Sequence, residues 1–98
     1  MDIIFEWDEE KALTNFLKHG VSFDEASTIF ADERSLTLYD EMHSTYEDRY
    51  IDIGISVSNR LLIVVYTERE ERIRIISVRS ATANERRQYE QREEQSDE

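Results

Sequence analysis

Residues 60–87 read RLLIVVYTEREERIRIISVRSATANERR, and this stretch decides the fold. Leu61 to Tyr66 form an unbroken apolar run, which is typical of a strand with both faces covered, so we place it at the centre of a sheet. The tetrad Glu68 to Glu71 is short and charged and predicts a turn. Arg72 to Arg79 then predicts a second strand, which returns antiparallel to the first.

The alternation of apolar and polar residues in this second strand breaks at Ile75 and Ile76. Regular pairing would send at least one arginine into the core, so we predict a β-bulge at these two residues. The bulge buries Ile73 and Val78 and collects the polar side chains on the other face: Arg72, Arg74, Ser77 and Arg79. Guanidinium groups donate paired hydrogen bonds to phosphate oxygens and keep their charge, so this face suits a phosphate-bearing ligand. The alternative is a solvated face paired with nearby glutamates.

The N-terminal part of the chain predicts one strand and two helices. Residues 2–7 form a short strand, and Asp8 caps a helix that Gly20 ends. The apolar stripe of this helix, predicted to face the core, consists of Ala12, Leu13, Phe16 and Leu17. Ser22 and Glu25 have the spacing of a capping box, in which each side chain binds a backbone amide of the other, and they start the second helix.

Two further strands and a last helix complete the prediction. Residues 35–39 form a strand, residues 40–48 an irregular loop, and residues 49–57 a strand with clean alternation. In that strand, one set of residues is predicted to face the core, namely Ile51, Ile53, Ile55 and Val57, and the other to face outward, namely Asp52, Gly54 and Ser56. Thr82 and Glu85 form a second capping box and start a polar helix whose one large apolar anchor is Tyr89.

These elements predict a two-layer α+β sandwich of the order β-α-α-β-β-β-α. Helices cover one face of an antiparallel sheet, and the arginine-bearing face is open. The length of 98 residues suits one domain, which we place at residues 1–92. An acidic disordered tail is predicted for residues 93–98.

Composition excludes several classes of protein. The chain has no cysteine and no proline, and it lacks an apolar run near about 18 residues, so we expect no disulfide, no cysteine-based metal site and no membrane span. The N-terminus is acidic where a secretory signal would be basic, which favours a cytoplasmic protein.

The net charge of -11 is distributed unevenly along the chain. Residues 1–59 hold 14 acidic and 4 basic side chains, whereas residues 60–92 hold 5 acidic and 8 basic ones. The total argues against nucleic acid as a partner, because polyanion binding depends on Lys and Arg. The distribution nevertheless leaves the arginine-rich part available for a polyanion and the acidic part for a basic partner protein.

The titratable residues permit only a simple chemistry. His19 and His43 lack neighbours at metal-ligand spacing, so we expect no metal and no cofactor. Metal-free cleavage of RNA remains possible, because the ribose 2′-hydroxyl is then the nucleophile and the protein only moves protons and stabilises charge. The candidate catalytic residues are His19, Glu68, Arg69, Arg79 and Tyr89. The candidate RNA-binding residues are Lys18, Arg72, Arg74 and Ser77.

Three of these residues also have a purely structural interpretation. His19 suits the C-terminal turn of a helix, where a cation is favoured, Glu68 suits a charged turn, and Tyr89 suits a packing anchor.

Blocks in both halves of the chain carry a resemblance to a known family. KHGVSF at residues 18–23 and RIISVR at residues 74–79 are the most specific, and Phe5 to Asp8, Arg60 to Leu62 and Val64 to Arg69 add to them in the same order. Over roughly residues 5–90 the sequence resembles the BrnT toxins of bacterial type II toxin–antitoxin pairs. It departs from that family's pattern at Glu33, where proline is usual, and at Val78, where alanine is usual.

The resemblance implies a small ribonuclease with a RelE-like fold that cuts RNA and halts translation and growth. It also implies a BrnA-like antitoxin of the ribbon-helix-helix class. The antitoxin would bind DNA, and the toxin would be associated with DNA only through the antitoxin. The rival hypothesis is a non-catalytic module that uses the arginine face to bind RNA or an acidic protein segment. The residues by themselves leave both hypotheses open.

Overall fold

The computed structural model describes residues 2–96, and the side chains of residues 2–91. Its strands are β1 (Ile4–Glu6), β2 (Leu36–Tyr39), β3 (Arg49–Ile55), β4 (Leu61–Arg69) and β5 (Arg72–Ser80). Its helices are α1 (Glu9–His19), α2 (Phe23–Ser27) and α3 (Ala83–Ser96), with 3-10 turns at Thr28–Ala31 and Glu41–His43. One mixed sheet has the order β1-β5-β4-β3-β2, with β4 near its centre.

The predicted α+β class is confirmed, with differences in detail. Residues 2–96 contain five strands, which matches the five predicted strand segments, whereas the predicted order β-α-α-β-β-β-α counts one strand too few. The sheet is not wholly antiparallel, since β1 pairs with β5 in parallel. This is possible because α1, α2 and three further strands separate the two along the chain, which gives ample length for a crossover.

The hairpin of β4 and β5 turns more tightly than the sequence predicts. β4 continues through Arg69, so the turn consists of Glu70 and Glu71 alone, with φ values of 49° and 68°. Two successive residues with positive φ fit a two-residue hairpin, whose twist matches that of the strands. As a result, Glu68 and Arg69 belong to the strand rather than to the turn.

The predicted bulge is confirmed. Val65 pairs with Ser77 and Tyr66 pairs with Ile75, which leaves Ile76 as the extra residue on β5. Ile75 and Val78 both lie in the core, while Ser77 and Arg79 fall on the opposite face together with Arg72 and Arg74.

Two apolar clusters lie on opposite faces of the sheet. On the face that we call the α2 face, Val21, Phe23, Ala26 and Ile29 pack against the sheet residues Leu62, Val64, Tyr66, Ile75 and Val78. On the other face, the α3 face, Tyr89 packs against Ile53, Leu61 and Ile63. The prediction that helices occupy one face only is therefore wrong, because even the weakly apolar α3 buries its single large anchor.

The predicted sides of β3 are partly right, because Ile53 is buried and Ile51 packs against the same apolar cluster, as predicted. The rest of the prediction is wrong. Asp52, Gly54 and Ser56 are buried, whereas Ile55 and Val57 are exposed. A Cβ atom at position 54 would lie 3.1 Å from the Cβ atom of Ile29, so the close approach of the 3-10 turn favours glycine there. Alternation shows that a strand has two sides, but both sides of this strand are covered and the pattern does not show which core is larger.

Of the predicted apolar stripe of α1, Ala12 packs against the core, but the three large residues do not face it. Asn15 is the buried residue of this helix, and Leu13, Phe16 and Leu17 are exposed. β1 pairs only with residues 72–74 of β5, so the backbone of β5 beyond them has a free edge. The Asn15 amide covers it by donating to the Val78 carbonyl at 2.9 Å and accepting from the Val78 N–H at 3.1 Å.

The predicted helix caps are confirmed with one exception. Asp8 accepts from the amides of Glu10 and Lys11, Gly20 ends α1 with φ of 72°, and Ser22 accepts from the Glu25 amide at 3.0 Å. The Glu25 carboxylate does not complete its capping box, because it binds the Ser56 hydroxyl and Arg60 instead.

At the C-terminus, α3 extends to Ser96, into the segment predicted as a tail, and residues 97 and 98 lie outside the described part of the chain. The division into a domain and a tail stays a prediction. Within residues 2–96 no helix has the length and apolarity needed to cross a membrane.

Candidate functional site

Four arginines share the α3 face of the sheet. Arg69 pairs directly with Arg72, Arg74 with Thr67, and Arg79 with Ile63, and residues paired across strands project from the same face. Between 29% and 54% of each arginine side chain is exposed. The predicted shared face of Arg72, Arg74 and Arg79 is thus present and also holds Arg69, and we call these four residues the arginine row. The face is not open as predicted, because α3 packs on it through Tyr89.

Each arginine of the row has a carboxylate partner. Arg69 donates to Glu47 Oε2 from Nε at 3.0 Å and from Nη2 at 2.8 Å. Glu6 serves two arginines, accepting from Arg74 Nη1 at 2.8 Å and lying 3.7 Å from Arg72 Nη1. The alternative of a solvated face paired with glutamates is thus observed. A phosphate ligand would have to replace these carboxylates at the arginines.

Arg79 is held most firmly, by a two-pronged contact with Glu85. Its Nη1 and Nη2 atoms donate to Glu85 Oε1 and Oε2, both at 2.7 Å. The second capping box fixes this glutamate, since Glu85 also accepts from the Thr82 amide at 2.8 Å. The hydrogen bonds from Arg79, supported by that amide, lower the pKa of Glu85 to about 2, against a smaller opposing effect of burial.

A small apolar groove adjoins Arg79. Its volume is about 170 Å³, and it lies between α3 and the sheet. Its lining consists of Leu38, Ile51, Ile53, Ile63, Val65, Ser77, Arg79, Glu85 and Gln88. A charged guanidinium beside an apolar groove suits a ligand that combines a phosphate with a flat, largely apolar ring.

A second cavity, of about 380 Å³, separates α1 from β5 at the bulge. Its lining consists of Glu10, Lys11, Thr14, Asn15, Lys18, His19, Ile76 and Ser77. Ser77 therefore lines both cavities, with Arg79 on one side and Lys18 and His19 on the other. The structure brings these four predicted residues together around the bulge.

Two predicted residues lie apart from this group. Glu68 pairs with Ile73 and faces the α2 side, where its charge is a minor cause of the raised pKa of Asp52, after burial. Tyr89 is buried, and its hydroxyl donates to Asp32 Oδ2 at 2.7 Å beside a separate cavity of about 640 Å³.

Asp32 is the anchor that sequence reasoning missed. Besides the Tyr89 hydroxyl, it accepts from the Ile55 amide at 2.9 Å and from the Arg34 amide at 3.0 Å. Burial alone would raise the pKa of Asp32, but these hydrogen bonds together hold it below its usual value. No local pattern links residue 32 to residue 89, so only the fold reveals the pair.

The glutamate partners and two further cations were also missed. Glu6 and Glu47 lie far along the chain from the arginines that they bind, and no spacing rule connects them.

Lys11 joins the cavity at the bulge, and Arg49, paired with Thr67, extends the cationic face toward β3. The Arg49 Nε atom is buried without a hydrogen-bond partner among the described residues. The described residues contain no group of three or more His, Cys, Asp or Glu side chains suited to a metal ion.

The fold and this surface define a small α+β protein with a cationic sheet face flanked by helices. A family model described as "Ribonuclease toxin, BrnT, of type II toxin-antitoxin system" matches residues 7–85. The chain therefore belongs to the BrnT family of ribonuclease toxins. Membership of a type II toxin–antitoxin system implies an antitoxin partner.

The solved structures include a similar protein. The crystal structure of the Brucella abortus ribonuclease toxin BrnT matches with a TM-score of 0.63 and 25% sequence identity, covering 83% of this chain and 99% of that one. A search of curated proteins gave no significant match. The resemblance inferred from sequence is thus confirmed by two independent comparisons.

Proposed function

We propose that this toxin is a metal-independent endoribonuclease that cleaves RNA through its own 2′-hydroxyl. The 2′-oxygen bonds to phosphorus as the bond from phosphorus to the 5′-oxygen breaks, which leaves a 2′,3′-cyclic phosphate and a free 5′-hydroxyl. One group must accept the 2′-proton, and another must give a proton to the departing 5′-oxygen. The protein must also stabilise negative charge on the phosphoryl oxygens.

The arginine row is the observation that carries this proposal. Within the arginine row, Arg79 borders both the apolar groove and Ser77. Arg79 would therefore hold the reacting phosphate. Arg69, Arg72 and Arg74 would bind neighbouring phosphates along the strand, since they share the face. The fork geometry of a guanidinium suits the two equatorial oxygens of a pentavalent phosphorus better than a point charge does.

His19 is the proposed proton-carrying group, and Lys18 is the proposed RNA-binding cation beside it. They reach the other side of Ser77 through the cavity at the bulge. Imidazole is the side chain that most readily exchanges protons near neutral pH. Glu85 is unsuited to act as a base, because a carboxylate with a pKa of about 2 has little affinity for a proton at neutral pH.

Glu68 and Tyr89 do not enter the proposed centre. The Glu68 side chain projects from the opposite face of the sheet, and the Tyr89 hydroxyl is engaged by Asp32 next to a different cavity. For Tyr89 the structural interpretation as a packing anchor agrees with its surroundings, whereas Glu68 lies on a strand and not in the turn that its structural interpretation assumed.

The proposed partner is a BrnA-like antitoxin of the ribbon-helix-helix class. In this proposal the toxin acts in the cytoplasm, where cleavage of RNA stops translation and growth, and it contacts DNA only through the antitoxin. The unequal charge distribution supports a protein partner, since the acidic half of the chain can receive basic side chains.

The test is substitution of Arg79 in the full chain. We expect Arg79→Ala to abolish growth arrest on induced expression and to slow cleavage of RNA in excess EDTA by about 100-fold or more. Arg79→Lys, which keeps the charge but loses the fork, should recover only part of the rate. Arg87→Ala is the matched control, because Arg87 is an exposed arginine of α3 outside the row.

The outcome also decides between cleavage and simple binding. Wild-type protein that binds RNA through the row but leaves it intact, with or without metal, would favour the non-catalytic module. Cleavage that depends on added divalent metal would contradict the metal-independent route.

A further inference from the structure

The outward face of α1 is apolar where a solvated helix is normally polar. Leu13 is 61% exposed, Phe16 49% and Leu17 76%. Their spacing of three and four residues puts them on one side of the helix. The opposite side meets the protein through the buried Asn15, and neither apolar cluster of the described residues includes Leu13, Phe16 or Leu17, so these three residues contribute little to the core.

The exposed patch continues into a concavity beside it. A cavity of about 280 Å³ lies between α1 and the start of α2, and Trp7, Ala12, Leu13 and Phe16 provide its apolar walls. A contiguous apolar patch with a concave centre marks a contact site for another molecule more often than isolated exposed residues do.

The border of this patch is acidic. Glu9 and Glu10 lie about one turn before Leu13 and two turns before Leu17 on α1, and Asp24 closes the cavity from α2. A second copy of this chain, with its net charge of -11, would place acid against acid. An occupant with lysine or arginine around an apolar centre would instead complement the charge.

We propose that this α1 surface, formed by Glu9, Glu10, Leu13, Phe16, Leu17 and Asp24, docks an amphipathic basic segment of the antitoxin. The inference rests on the antitoxin partner of the proposed function and specifies where that partner binds. Apolar side chains of the segment cover Leu13, Phe16 and Leu17, and its cations meet Glu9, Glu10 and Asp24.

Docking here also suggests how RNA is excluded. Leu17 is followed directly by Lys18 and His19, which line the cavity at Ser77. A segment lying on Leu17 therefore borders that cavity and can obstruct it. The arginine row lies on the α3 face of the sheet, and none of its four arginines lines the cavity of the α1 surface, so this contact alone does not cover the row.

The test is the double substitution Leu13→Arg/Leu17→Arg in the full chain, titrated by calorimetry with the product of the adjacent antitoxin gene. Both side chains are exposed, so we expect folding and RNA cleavage to be unchanged and the antitoxin affinity to fall at least 10-fold. Glu9→Gln/Glu10→Gln should weaken binding less and reduce its dependence on salt. Val57→Arg, at another exposed apolar residue outside α1, is the control and should bind like wild type.

Three results would overturn the inference. One is a double variant that binds the antitoxin as tightly as wild type does. If the wild-type toxin still cleaves RNA and is still silenced by the antitoxin, this result refutes the surface but not the proposed function. Another is a wild-type dimer that the double variant dissociates without loss of antitoxin affinity, which would assign the surface to a second copy. A wild-type toxin that cleaves RNA but does not bind the antitoxin would refute both the surface and the proposed partner.

Discussion

Each arginine of the row is bound by a glutamate, and the strength of that contact determines how easily a phosphate replaces it. Glu6 divides its contacts between Arg72 and Arg74, whereas Glu85 meets Arg79 with both oxygens and is itself held by the Thr82 amide. Glu85 is therefore the competitor that a phosphate at Arg79 must displace.

Replacing Glu85 with glutamine should tighten RNA binding. Glutamine can still accept from the Thr82 amide, but it has no charge to compete with phosphate for Arg79. Because partly exposed ion pairs contribute about 1 kcal/mol or less, we expect up to about a fivefold gain in affinity for a non-cleavable RNA. Glu90→Gln, at an exposed glutamate of the same helix, controls for the change in net charge. Weaker binding by Glu85→Gln would mean that Glu85 orients Arg79 for RNA rather than competing with it.

In α1 we expect the polar residue Asn15 to stabilise the fold more than the apolar residue Leu17 does, which is the reverse of the usual order. Asn15→Ala should lower the free energy of unfolding by about 2–4 kcal/mol, because it leaves the N–H and carbonyl of Val78 without their partner. Leu17→Ala, in the same helix, should change it by about 0.5 kcal/mol or less, because Leu17 is exposed. Urea denaturation measures both values, and equal losses would show that α1 is held by its apolar stripe after all.

At the scale of elements, α1 shows what the sequence could and could not predict. Its start at Asp8 and its end at Gly20 were predictable, because caps are local chemistry within a few residues. Its orientation was not, because the period of a helix identifies an apolar side without saying what covers it. The short β1 leaves an edge of β5 open, and covering that edge with Asn15 turns the apolar side outward.

The central hairpin was more predictable, for an energetic reason. Burying an arginine without a partner is so costly that the bulge at Ile75 and Ile76 followed from the charges alone. The carboxylates that meet the row lie on β1, in the loop after β2 and on α3, and their approach depends on the whole fold. Sequence thus predicted the arginines of the row but not the carboxylates that compete for them.

The attachment of α3 should weaken in acid. This helix is held by Tyr89, bonded to Asp32, and by Glu85, bonded to Arg79. Both carboxylates have pKa values lowered by folding, so their stabilisation is fully present above the unfolded values of about 4 and is lost as pH falls below them. For Glu85 the loss is complete only near its folded pKa of about 2.

Amide NMR shifts of α3, followed from pH 6 to about 2, measure this loosening. We expect the α3 signals to change between about pH 4.5 and 2 while those of β4 stay constant to lower pH. Tyr89→Phe, which removes the bond to Asp32, should move the α3 transition to higher pH. Simultaneous changes in α3 and β4 would show that the whole fold, rather than α3 alone, responds to these two carboxylates.

At the scale of the whole molecule, a cationic row sits on a strongly acidic body. The molecule measures 40 × 30 × 27 Å and carries a net charge of -11. The screening length is about 30 Å at 0.01 M salt and about 10 Å at 0.1 M. At low salt, the charge of the entire acidic body therefore repels an approaching RNA. At moderate salt, mainly the charges of the row and its nearest carboxylates act on it.

RNA affinity should consequently depend on salt in two regimes. Above about 0.1 M, the logarithm of the association constant should fall against the logarithm of salt with a slope no steeper than about -2.8, from about 0.7 for each of the row's four arginines. Below about 0.05 M the plot should flatten or reverse, because repulsion by remote carboxylates is no longer screened. Fluorescence anisotropy with a short RNA lacking the reactive 2′-hydroxyl measures both regimes.

Arg79→Ala should make the high-salt slope shallower by about 0.7 and leave the low-salt flattening unchanged, since the remote charges are the same. A single straight line from 0.01 to 0.3 M would show that the acidic body has no influence on how RNA reaches the row.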